Sequence, residues 1–85
     1  MDQLQKWRKQ VNVIDRVLIR TLGKRFNITG KIQTFKKKNG LPTKHADRET
    51  DILKKLSMEI KKQHLPMVLL KKLYKIIFNY SRGQY

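Results

Sequence analysis

The sequence contains no cysteine, which excludes disulfides and thiolate metal sites. Histidine is nearly as scarce. His45 and His64 stand 19 positions apart, a spacing that argues against zinc. Only 6 acidic residues face 21 Lys and Arg, for a formal net charge of +15. Long apolar runs are missing too. The longest, such as residues 67–70, span only a few positions, far short of the ~20 residues that a membrane span needs. Residues 1–8 lack the apolar stretch of a secretory leader, so no membrane attachment and a cytoplasmic location are expected. There is no glycine-rich phosphate loop, no nucleophile–base triad and no paired-carboxylate arrangement, and no cofactor or metal is expected.

What is present is a short, basic and yet substantially apolar chain. Of its 85 residues, 39% are hydrophobic, too many for a disordered basic tail. The length falls below one average domain, so a single domain over residues 1–85 is expected. A chain this small rarely builds a sufficient core alone; disulfides, a metal or a partner chain usually help. With the first two removed, a partner chain remains. The charge points to an anionic partner: nucleic acid, a membrane surface or a small polyanion.

Glycine and proline punctuate the chain into three helical parts, long, short and medium. The first is expected over residues 2–38, where Leu4, Trp7, Val11, Ile14, Leu18 and Leu22 recur every three or four positions. The stripe resumes with Ile28, Ile32 and Phe35 and reads as an interior-facing seam. A break near Gly23 or Gly30 is the competing reading, because each costs about 1 kcal/mol relative to alanine within a helix. An unbroken helix of 37 residues would run about 55 Å, too long for an 85-residue globule. It should therefore pack against a second chain. Asn39-Gly40-Leu41-Pro42 reads as a helix stop and the start of a loop over 39–47.

A second helix is expected over 48–63, with Asp47 as its N-cap and Leu53, Leu56 and Ile60 as its apolar line. One step of four back from Leu53 reaches Glu49, which places a carboxylate toward the core. A third is expected over 66–82, opening at Pro66 as a first helical residue. It is apolar on most sides and so should be central. Met58 and Met67 are expected to fill core gaps, Trp7 belongs on the intersubunit seam, and the lysine doublets are solvated faces.

Three charged residues fall on interior positions: Arg25, Lys36 and Glu49. Arg25 and Lys36 are 11 residues apart, about three helical turns, and point the same way. Buried charge is costly unless paired. The three together describe either a pocket for an anion or a structural ion pair between Arg25 and Glu49, and periodicity alone leaves both open.

The motif string is more specific. Arg8 precedes Ile14-Asp15, Arg25 follows ten positions after that Asp, and Lys36 eleven after that. Then come Gly40-Leu41-Pro42, the dipeptide Arg48-Glu49, and Tyr74 with Ile76-Ile77. This set, spread over nearly the whole chain, resembles the all-helical chorismate mutase family. The resemblance implies an all-α, intertwined homodimer with two equivalent sites, in which chorismate rearranges to prephenate. It implies Lys36 and Gln84 at the breaking ether oxygen and Glu49 at the ring hydroxyl. It also implies Arg8 of the partner chain and Arg25 at the two carboxylates, Arg48 as an electrostatic support, and His45 and Ser81 among the binding residues. The sequence departs from the family pattern at His45, where the family commonly has an acid. Near the end, an ungapped register puts Ser81 and Tyr85 on the family's polar and glutamine positions. A one-residue deletion near Pro66 puts Tyr80 and Gln84 there instead, and the chemistry favours the amide of Gln84.

Spacing supports the dimer separately. Arg8 and Arg25 are 17 residues apart, about 26 Å along one helix, so one small ligand cannot touch both on the same helix. Two other readings stand beside this one. A same-fold enzyme would be an isochorismate pyruvate lyase or a 4-amino-4-deoxychorismate mutase. A basic helical nucleic-acid-binding module would account for the charge, although no recognition motif appears and Glu49 has no role in it.

Overall fold

The computed structural model describes residues 2–42 and 46–83. Among them are three α-helices and no strand: α1 Gln3–Lys38, α2 Ala46–Lys62 and α3 Met67–Ser81. No helix among the described residues is long and apolar enough to cross a membrane. The chain divides into two compact units, Met1–Ile32 and Gln33–Tyr85.

The first unit is α1 up to Ile32. Asp2, expected inside the helix, is its cap: its Oδ1 accepts from the Gln5 backbone N–H at 2.8 Å. That satisfies one of the donors a helix start leaves open. The helix runs unbroken through Gly23 and Gly30, so the break weighed there does not occur. Among the described residues, a Cβ added at either glycine would meet nothing within 4 Å. The two propensity costs are spread over 36 residues, most of which favour a helix or tolerate one. No residue of α1 is buried within the chain. Eleven large apolar side chains along it, from Leu4 to Phe35, are 46–65% exposed.

The second unit begins with the last turn of α1. Gly40 stops the helix with a left-handed backbone, φ 65°. The Leu41 N–H reaches back to the Lys36 carbonyl at 2.8 Å and the Gly40 N–H to that of Lys37 at 3.4 Å. These bonds satisfy carbonyls that the helix end would leave open. Asn39 adds a side-chain bond to the Phe35 carbonyl at 2.8 Å. The stop lies where the sequence places it.

α2 starts at Ala46, two residues before the expected position. Asp47 is therefore inside the first turn rather than the N-cap. Its charge, with that of Glu49, still meets the positive end of the helix dipole. α2 ends on a left-handed His64, φ 57°, with the Leu65 N–H bonded to the Ile60 carbonyl at 3.1 Å. Pro66 is the N-cap of α3, not its first helical residue, because its ψ of 142° is extended. α3 ends at Ser81, with Arg82 as its C-cap and Gly83 left-handed after it, φ 79°.

With only four residues between them, α2 and α3 form an antiparallel pair. Among the described residues, the buried ones, Leu70, Ile77 and Phe78, all belong to α3, which makes it the centre of this unit, as its apolar content requires. Leu53, Leu56 and Ile60 of α2 are half-buried opposite them. Tyr74 and Phe78 meet edge to face, 5.5 Å between ring centres, a favoured aromatic geometry. Met58 does not fill a core gap. It is 67% exposed, because two residues from both Leu56 and Ile60 lies on the opposite face of the helix.

Candidate active site

The apolar lines of α2 and α3 each end in a charge. On α2, four residues before Leu53, the line reaches Glu49. On α3, the line Leu70–Tyr74–Phe78 reaches Arg82 four residues on. Because the helices run antiparallel, these two ends meet. The Glu49 Oε2 accepts a hydrogen bond from the Arg82 Nη1, and the pair is a salt bridge. The side chains are only 23% and 11% exposed. Arg82 Nη2 donates to Asn79 Oδ1 at 2.5 Å, which ties the guanidinium to its own helix. Its buried Nε finds no acceptor among the described residues.

The pair lies in a cleft of about 340 Å³ lined by Ala46, Glu49, Thr50 and Leu53 of α2 and by Lys71, Lys75, Phe78, Asn79 and the capping Arg82 on the α3 side. Lys71 and Lys75 are four apart and share a helix face. Three cations against one carboxylate leave the cleft with an excess of two positive charges. Such a site suits an anionic ligand that also carries a hydroxyl: the excess positive charge attracts the anion, and the carboxylate can accept from the hydroxyl.

The other sequence-selected residues are distributed as follows. Arg8, exposed, and Arg25, half-buried, belong to the first unit. Lys36 is half-buried in the last turn of α1, within the second unit. Arg48 is exposed and turned along α2, its Nη1 3.3 Å from Asp51 Oδ2. Lys55 Nζ approaches the same oxygen at 3.1 Å. The Lys55 hydrogen bond, then the charges of Lys55 and Arg48, hold the Asp51 carboxyl below its ordinary value of 3.8. Ser81 donates its hydroxyl to the Ile77 carbonyl at 2.7 Å. Tyr80 is exposed. His45, Gln84 and Tyr85 lie outside the described residues. Among the described residues, no group of three His, Asp or Glu could hold a metal ion.

Glu49 thus faces an interior cation, as its position on the helix requires, and that cation is Arg82. Sequence reasoning did not select Arg82. The available signal was its place on the step-of-four line through Leu70, Tyr74 and Phe78, the counterpart of the line that exposed Glu49.

No curated protein matches the chain. The sequence profile described as chorismate mutase type II matches residues 7–84. That span contains Arg8, Arg25, Lys36, Arg48 and Glu49, and its described residues form three helices. The chain belongs to the chorismate mutase type II family.

Proposed function

We propose that this protein is a chorismate mutase, an isomerase that converts chorismate to prephenate by an intramolecular Claisen rearrangement, acting in the cytoplasm as a single-domain homodimer. The observation that carries this reading is the family match over residues 7–84. A cationic cleft holding a half-buried carboxylate supports it.

The reaction needs no acid, base or nucleophile. The substrate must be held in a compact chair with its reacting carbons in contact, which is catalysis by orientation. Negative charge developing on the breaking ether oxygen must meet fixed donors. In this reading Lys36 and Gln84 are those donors. Arg25 and the partner chain's copy of Arg8 bind the two carboxylates, because a guanidinium fork matches a carboxylate. Glu49 accepts from the ring hydroxyl. Arg48 supports the field of the site, and His45 and Ser81 complete the binding surface.

The dimer has two supports. One is the distance along α1 between Arg8 and Arg25. The other is the exposure of α1 itself. A helix in water draws most of its stability from packing an apolar face, and none of α1 is buried within its own chain. A second copy would cover Leu4, Trp7, Val11, Ile14 and Leu18.

The test follows loss of chorismate absorbance with purified protein and identifies the product by mass. Turnover to an isomer of unchanged mass is expected. Arg25→Ala should lower kcat/KM by about a hundredfold or more, as expected for removing a charge-assisted carboxylate contact. Release of pyruvate would point instead to a lyase of the same fold. No turnover, or turnover indifferent to Arg25→Ala, would overturn the proposal.

A further inference from the structure

We propose that Arg82 is a positioning residue for Glu49, holding one carboxylate oxygen so that the other is presented to a hydroxyl donor in the cleft between α2 and α3. The inference rests on the chorismate mutase reading and adds a residue that the family resemblance does not assign.

Three observations carry it. Arg82 engages Oε2 of Glu49, which leaves Oε1 without a hydrogen bond among the described residues, and Glu49 lines the cleft. The guanidinium is anchored twice, to Glu49 on α2 and to Asn79 on its own helix, so it cannot swing without breaking a second bond. The pair is largely shielded from water, with the side chains 23% and 11% exposed, and a shielded carboxylate without a cation would be costly. Arg82 therefore sets the orientation of the group that accepts from the ligand. The ligand class follows: an anion bearing a hydroxyl, with that hydroxyl at Glu49 and the cleft's lysines adding to the positive field around it.

The oriented acceptor contributes equally in the ground and transition states, so its loss should appear in KM rather than in kcat. A residue that served only the fold would do the reverse. It would reduce the active fraction, lowering apparent kcat with KM unchanged. The experiment measures kcat and KM for chorismate with the full chain and with Arg82→Met, Arg82→Lys, Glu49→Gln and the double variant Arg82→Met/Glu49→Gln. Arg82→Met should raise KM about tenfold while kcat changes less than about threefold, the effect of one misplaced charged acceptor. Arg82→Lys, which keeps the charge but loses the fork, should raise KM about threefold. On the Glu49→Gln background Arg82→Met should raise KM no further, because the two act through one contact.

An unchanged KM in Arg82→Met, or KM effects that simply multiply in the double variant, would overturn the inference. Circular dichroism establishes that each variant is folded. Should Arg82→Met fail to fold, Arg82→Lys decides, with a raised KM in support and an unchanged one against. A wild type without chorismate turnover overturns the functional reading and this inference together. An active wild type whose Arg82 variants keep their KM overturns this inference alone.

Discussion

His64 is left-handed, φ 57°, at the position where α1 and α3 are followed by glycine. A side chain there costs about 1–2 kcal/mol, because its Cβ crowds the following carbonyl oxygen, and glycine escapes that cost at some expense in unfolded-chain entropy. His64→Gly should therefore stabilise the protein by about 0.5–1 kcal/mol. The measurement is the urea midpoint, expected to rise with an unchanged slope; a lower midpoint would show that the imidazole has a role of its own. At this scale the sequence was readable only in part. The core-facing position of Glu49 followed from a step of four along one helix. Its partner lies 33 positions away, where no periodicity of α2 can reach.

At the scale of elements, helix identity followed from apolar spacing and helix ends from Gly40 and Pro66. Ends shifted by one or two residues, because capping depends on local backbone torsions that residue types only bias. α2 also carries an exposed charge cluster in which Lys55 and Arg48 converge on Asp51. The Asp51 carboxyl is held below its ordinary value of 3.8, chiefly by the Lys55 hydrogen bond. A carboxyl depressed in the folded state stabilises above its unfolded value, and that contribution is lost as pH falls through the folded one. Asp51→Asn should thus be slightly less stable than wild type at neutral pH, and the two should converge as pH falls below 3.8. Solvent and salt screen so exposed a cluster, so raising the ionic strength at neutral pH should narrow the gap as well. Urea midpoints of both proteins across pH and salt check this; a gap that widens in acid would contradict it.

For the whole molecule, the dominant feature is an apolar seam along α1 that its own chain leaves exposed. Fully burying a side chain of that kind contributes about 1.5–3 kcal/mol, so a second copy covering five of them would be held firmly. Sedimentation should give a particle of twice the 10.2 kDa chain mass. Leu18→Asp should shift it toward monomer and reduce helix content, since a long helix without a packed face is marginal in water. A wild type that sediments as a monomer at micromolar concentration would contradict the dimer. The charge of +15 belongs to this scale too. The four proposed site cations, Arg8, Arg25, Lys36 and Arg48, account for only part of it. The proposed site leaves the remainder without a task.

The sequence by itself determined three helices, the stop of the first at Gly40, the apolar seam of α1, the inward carboxylate on α2 and the spaced residues that carry the family resemblance. All of these depend on repeats of three and four positions, or on residues whose backbone preferences act locally. Only the tertiary structure decided that Arg82 is the cation beside Glu49 and that Asn79 anchors it. It also decided that Lys71 and Lys75 share their cleft. Periodicity specifies which face of a helix a residue occupies. Which residue of another helix meets it depends on how the two pack, and here an antiparallel pair brought the first turn of α2 to the last turn of α3.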